Sequence, residues 1–115
     1  MSSLIFYDID ALGGIGRILY SLNNYTGAVQ YLDKTLSIDP KYVYALDGKG
    51  LALYQLKNYT GALSVLNEGL NLDPYFYGML DNKAITLIKL GKYVDAISTL
   101  NTQLQHIINT KCVNP

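Results

Sequence analysis

The chain repeats itself every 34 residues, and that period constrains its fold more than any other feature. Pro40 and Pro74 each end an Asp-Pro pair, and the same interval separates Ala28, Ala62 and Ala96, Tyr25, Tyr59 and Tyr93, and Leu36, Leu70 and Leu104. Leu22-Asn23-Asn24-Tyr25-Thr26-Gly27-Ala28 returns as Leu56-Lys57-Asn58-Tyr59-Thr60-Gly61-Ala62. A looser third copy reads Leu90-Gly91-Lys92-Tyr93-Val94-Asp95-Ala96. Self-similarity at a fixed period of this size marks a stacked array of small units. Three periods, about 9–42, 43–76 and 77–110, cover 102 of the 115 residues and predict a single domain over 1–115.

Each period reads as two helices. Leu46, Gly50, Leu53 and Tyr54 share one helical face, and after Lys57-Asn58 a second face appears at Ala62, Leu63, Leu66 and Leu70. Asp73-Pro74 stops that helix, because proline lacks an amide proton and disfavours helical geometry in the residue before it. The spacing predicts helix pairs at Ile9–Leu22 with Tyr25–Ile38, Val43–Leu56 with Tyr59–Leu72, and Tyr77–Leu90 with Tyr93–Ile108. One hairpin cannot bury its apolar stripe alone, so the three must stack. Gly16, Gly50 and Ala84 on the first helices are expected to face Ala28, Ala62 and Ala96 on the second, letting each pair approach closely. Gly13, Gly14 and Gly16 crowd the first helix at a cost of up to about 1 kcal/mol each relative to alanine. It is expected to be the least stable of the six.

These residues resemble the pattern of the tetratricopeptide repeat family, in which a large residue, Leu-Gly, Tyr, Ala, Phe and Pro recur at fixed offsets. The middle period matches through Leu46, Gly50, Leu53, Ala62, Leu66 and Pro74, and the first through Leu12, Ile15, Gly16, Leu19, Ala28, Leu32 and Pro40. The third matches through Leu80, Ala84, Leu87, Ala96 and Leu100, with Ile108 in place of the proline. Lys49 and Lys83 stand where the pattern has leucine; a lysine stem can lie along apolar surface while its ammonium reaches water. The resemblance implies an all-α fold of three stacked antiparallel hairpins in a right-handed solenoid. It also implies a concave face, lined by the first helices, that takes a peptide or a partner helix. The residues it places there are Arg17, Tyr20, Tyr44, Asp47, Leu51, Tyr54, Asp81, Ile85 and Lys89, with Leu51, Tyr54, Ile85 and Tyr20 at the centre. Co-chaperone members of the family clamp a C-terminal carboxylate with Lys, Asn and Arg. Here the corresponding places hold Gly13, Arg17, Gly48 and Lys89 beside the acids Asp47 and Asp81, which disfavours an anionic chain end.

Other functions find little support. Nine basic residues balance nine acidic ones, without the basic excess of a nucleic-acid binder. No stretch approaches the roughly 20 apolar residues of a membrane span. The start, Met1-Ser2-Ser3-Leu4-Ile5-Phe6-Tyr7-Asp8, carries no basic residue of a secretory leader, so the expected placement is cytoplasmic. No cofactor or metal is expected, nor catalysis: His106 is the sole histidine and Cys112 the sole cysteine, and neither has the partners that a triad or metal site requires. Gly13-Gly14-Ile15-Gly16-Arg17 resembles a phosphate loop only in composition, since the repeat register puts it inside a helix. Asn24-Tyr25-Thr26 and Asn58-Tyr59-Thr60 match the glycosylation sequon but read more simply as turn residues.

The last helix poses a separate question. Ile97, Leu100, Leu104 and Ile107 keep the apolar spacing although no fourth hairpin follows in this sequence. Ile97, Leu104 and Ile107 are therefore expected to form an exposed face, through which copies of the chain associate or which a partner or further repeats cover. Self-assembly through that end is the alternative to peptide binding.

Overall fold

In the computed structural model, which describes residues 8–111, every regular element is a helix and no strand occurs among the described residues. The helices are α1 (Ile9–Ser21), α2 (Tyr25–Ile38), α3 (Val43–Gln55), α4 (Tyr59–Leu72), α5 (Tyr77–Lys89) and α6 (Tyr93–Lys111). Each first helix ends one residue before the leucine that closes its apolar pattern, Leu22, Leu56 or Leu90, which becomes the C-cap. The next residue then turns left-handed, with φ of 64° at Asn23, 65° at Lys57 and 74° at Gly91. Asn24 and Asn58 cap the helices that follow, their side-chain oxygens accepting from the amides of Gly27 and Gly61 at 2.9 and 3.0 Å. The glycines make the cap fit, because a Cβ there would meet the asparagine side chain at 2.6–2.7 Å. The two sequon asparagines are thus capping residues. Lys92 and Asp95 replace Asn and Gly in the third copy, where the acid lies in the first turn of α6 and complements the helix dipole.

Helices pair within hairpins (α1 with α2, α3 with α4, α5 with α6), and hairpins join through α2 on α3 and α4 on α5. The buried side chains are spread along the stack, and the radius of gyration of 15.6 Å exceeds the about 13 Å of a globular chain of this length. Leu32, Leu46, Leu66 and Met79 are its largest fully buried apolar side chains. Buried Thr35, Thr86 and Thr99 satisfy their own hydroxyls by donating to the carbonyl one turn back, at 2.7–3.0 Å.

The close approach inside each hairpin differs from expectation in one respect. In the first two hairpins a leucine comes nearest the space beside the glycine, with the Ala28 carbonyl oxygen next at Gly16, 3.4 Å from where a Cβ would stand. A Cβ on Gly16 would lie 2.9 Å from Leu32 Cγ, and one on Gly50 would lie 2.7 Å from Leu66 Cδ2. The third hairpin has Ala84 at this position, and there Ala84, Ala96 and Leu87 do form one buried cluster. Its equivalent leucine, Leu100, is 38% exposed. The phosphate-loop-like glycine run lies inside α1, as its repeat register requires.

α6 continues to Lys111, well past the length of α2 and α4, because Ile108 stands where proline would stop it. His106 pins this extension: Tyr75 stacks on its ring at 3.7 Å, and its Nδ1 is hydrogen-bonded to Tyr77 Oη at 2.7 Å.

Gly50→Ala should destabilise the chain by about 1–3 kcal/mol through overpacking against Leu66. Gly14→Ala, with nothing within 4 Å of the new methyl, should instead stabilise it by up to about 1 kcal/mol. Denaturant midpoints moving in opposite directions would check both. His106→Ala should cost about 1–2 kcal/mol by losing a ring stack and a hydrogen bond. Amide exchange should then quicken in the last turns of α6 before it does elsewhere.

Candidate partner-binding groove

The first helices approach one another along the stack, α1 to α3 and α3 to α5, which puts them on one common face. Between α1 and α3 this face deepens into a cleft of about 810 Å³, bordered by Arg17, Tyr20, Tyr44, Asp47, Gly48 and Leu51. A smaller hollow of about 320 Å³ continues it past Gly14, Arg17 and Tyr44 towards Asp10, Gly13 and Tyr42. Glycine at 14 and 48 is part of the cause, since residues without side chains leave room between the two helices.

Tyr44 is the most prominent wall. It is 62% exposed, yet its ring is held edge-on between Tyr42 at 5.9 Å and Phe76 at 5.6 Å. Such edge-to-face pairs are favourable beyond the area they bury, so the ring is placed before any partner arrives. Tyr20 is fixed at the other end by Tyr25, 5.3 Å away edge-on, and its hydroxyl accepts from Gln55 Nε2 at 3.3 Å.

The charged groups are few and unequal. Asp47 is half-buried and accepts from Asn82 Nδ2 at 2.8 Å. Burial raises its carboxyl above the ordinary value, and the Asn82 hydrogen bond acts in the opposite direction. At the rim, the Tyr42 hydroxyl donates to Asp10 Oδ1 at 3.2 Å, and desolvation followed by that carboxylate raises the tyrosine above its ordinary value. Arg17 is the one cation among the cleft's border residues.

Of the nine residues predicted for the groove, the structure gathers Arg17, Tyr20, Tyr44, Asp47 and Leu51 around this cleft. Tyr54, Asp81, Ile85 and Lys89 do not border it. Tyr54 packs edge-on against Tyr59 of its own hairpin at 5.4 Å, while Ile85 is 40% exposed and Asp81 and Lys89 are exposed. The cleft therefore lies between the first two hairpins, whereas the predicted set extends onto α5. Although Asp47 and Asp81 are one position repeated, only Asp47 has a following α5 to partner it. Tyr42 and Phe76 are the residues that sequence reasoning missed; they stand 34 apart just before α3 and α5, and that aromatic repetition was their signal. At the far end, Ile97 is 61% and Leu104 55% exposed, but Ile107 is half-buried because it turns towards the hairpin on the same side as His106. Leu100 and Ile108 belong to the exposed face instead. Cys112 lies outside the described residues. Among the described residues no group of three His, Cys, Asp or Glu side chains converges, and no helix is long and apolar enough to cross a membrane.

Asp47 yields a pH test. Its folded-state value lies above the unfolded one, so stability is lost as pH rises through the window between them, and the cost is fully present above it. Asp47→Asn keeps an oxygen for Asn82 and removes the charge. Denaturant midpoints should show the variant more stable than the parent at neutral pH, with the gap closing as pH falls below 3.8. A variant less stable at neutral pH would overturn this account of the contact.

Comparison with known proteins now places the fold. No curated protein sequence matches the chain. Among solved structures, the MamA protein superposes with a TM-score of 0.89 at 13% identity over 99% of this chain and 62% of that one. The chain thus spans about three fifths of MamA. The complex of the second TPR domain B of yeast Sti1 with a pHsp70 peptide superposes with a TM-score of 0.81 at 20% identity, covering 90% of this chain and 85% of that one. The second TPR of Spaghetti (RPAP3), bound to the HSP90 peptide SRMEEVD, gives 0.82 at 14% identity, covering 90% of this chain and 96% of that one. A family model for the tetratricopeptide repeat matches residues 9–42 and 43–76, more than half of the chain. With its two-helix period, its stacked hairpins and that match, the chain belongs to the tetratricopeptide repeat family.

Proposed function

We propose that this chain is a protein-interaction module whose α1–α3 cleft holds an extended peptide or a partner helix through apolar side chains flanked by Lys or Arg. The observation that carries the reading is the cleft itself: about 810 Å³, walled by Tyr20, Tyr44 and Leu51, with Asp47 and Arg17 as its charged border residues. Tyrosine offers a large contact area and a hydrogen-bonding tip at small entropic cost. A ring already held in place by its neighbours loses still less on binding. Asp47 and the adjoining Asp10 outnumber Arg17, so a basic partner is favoured over an acidic one. The reading involves no catalysis and no cofactor.

The Sti1 and RPAP3 complexes hold chaperone peptides on the same fold. That supports a peptide-binding use of the fold, while this chain's own charges argue for a different peptide. Gly13 and Gly48 offer no side chain to a terminal carboxylate, and half-buried Asp47 would repel one.

Selection from a displayed random-peptide library, followed by titration of synthetic hits and of SRMEEVD as a comparator, tests the proposal. Hits should combine apolar and basic residues, and Tyr44→Ala or Leu51→Ala should weaken them about tenfold or more, as loss of a central contact does. Asp47→Lys combined with Asp81→Lys should slow association and reduce its dependence on salt. Binding indifferent to both Asp47→Lys and Leu51→Ala, or a preference for SRMEEVD over every hit, would overturn it.

A further inference from the structure

The internal joints of the stack hide the same register positions each time. On the first-helix side, Ala45 and Ala52 of α3 and Met79 and Thr86 of α5 are all at most 1% exposed. Their equivalents on α1, 34 or 68 residues earlier, are Ala11 and Ile18; Ala11 is exposed and Ile18 is 60% exposed. Ile15, which stands where α3 and α5 carry Lys49 and Lys83, is 40% exposed. On the second-helix side, Leu63 of α4 packs against the buried cluster of the third hairpin. Its equivalent on α6 is Ile97, and next to it on that face lies Leu104; both are more than half exposed. One end of the stack thus bares the face that α3 and α5 bury, and the other bares the face that α2 and α4 bury.

We infer that these two ends are one joint left open: the outer face of α6 takes the outer face of α1 of a second copy, head to tail, as α2 takes α3. The occupant is argued from continuity with the joints inside the chain. Both faces belong to the pair of surfaces that already fit each other twice, and Ile15, Ile18, Ile97 and Leu104 bring no charge to the contact. Volumes are also compensated along this position. At the joint of α4 and α5, Gly69 leaves the space that the Met79 sulfur fills. The equivalent pair across the open joint is Gln103 and Ala11, again one long and one short side chain, with the order reversed. The driving force is removal of exposed isoleucine and leucine from water. Because the two faces differ, the contact is heterologous and does not close, so each added copy presents a fresh end. Ile18 also borders the α1–α3 cleft, whereas Ile15, Ile97 and Leu104 do not, so substitutions at Ile15 and Leu104 test assembly apart from the cleft's lining.

Ile15→Glu blocks one face and Leu104→Glu the other. In sedimentation equilibrium, the parent chain should show a mass that climbs with concentration beyond twice 12.7 kDa. Each variant alone, with helicity unchanged by circular dichroism, should remain a monomer. An equimolar mixture of the two should form a dimer and nothing larger, since each supplies the one intact face that the other lacks. Ile15→Gln and Leu104→Gln serve the same test if a glutamate costs helicity. A parent chain that stays monomeric, an Ile15→Glu variant that still pairs with itself, or a mixture that stays monomeric would each overturn the inference.

Discussion

Leu66 occupies the space that a side chain at residue 50 would need, and Leu32 does the same over residue 16. That substitution of a neighbour's side chain for a missing Cβ sets how close the two helices of a hairpin come. Everything built on the hairpin inherits the distance. Leu32 also reaches the next hairpin, since a Cβ on Gly48 would lie 3.2 Å from its Cδ1. A single leucine thus closes its own hairpin and touches the first helix of the following one. Tight interiors transmit small volume changes, so the cleft between α1 and α3 is governed from beneath by the same contact that stabilises the fold.

Above that apolar layer, polar contacts tie successive hairpins. Gln55 reaches Tyr20, and Asn82 reaches Asp47; each pair is 35 residues apart and joins neighbouring first helices on the common face. Tyr42 adds a bond to Asp10 at the rim, and Lys49 forms a 2.7 Å ion pair with Asp33 across the joint of α2 and α3. Lysine at the pattern's leucine position therefore finds a charged partner on the preceding hairpin. The same position in α5, Lys83, faces Asn67 as the equivalent of Asp33, so this pair is not repeated along the stack. Individual bonds of this kind contribute only about 0.5–1.5 kcal/mol. Their effect here is geometric: they hold the first helices in lateral register, so that Tyr20, Tyr44 and Asp47 lie on one surface.

How much of this the amino-acid sequence discloses depends on whether a feature repeats. Helix positions, the hairpin order and the turn at Asp73-Pro74 all follow from the period, because identical residues 34 apart must meet similar surroundings. The concave set is disclosed only in part. Periodicity says which side chains share a face but not which neighbours fill the space between them, so Tyr20 borders the cleft while Tyr54, paired with Tyr59 as Tyr20 is with Tyr25, does not. Asp47 shows the limit most clearly. Its partner Asn82 stands where the earlier periods have Gly14 and Gly48, so no pattern within the sequence announces the contact. Gly16 and Gly50 were readable as small for a reason, but the occupant of the space was not, because alanine and leucine both recur on the facing helix.

The third hairpin closes by different means, and its differences are connected. Ala84 supplies the Cβ that Gly16 and Gly50 lack, and it is buried in one cluster with Leu87 and Ala96. Leu100 is left part-exposed, without a following first helix to cover it. What would be lost in closure is recovered further along the helix, where the missing proline lets α6 extend and where His106 lies stacked on Tyr75 and bonded to Tyr77. The pin draws one side of α6 onto the start of α5 and takes Ile107 partly inward with it. Rotation of the helix is then fixed, and the opposite side, with Ile97, Leu104 and Ile108, must face out. The lone histidine thus has a packing role at this end of the stack. It is the contact that orients the bare face of the stack.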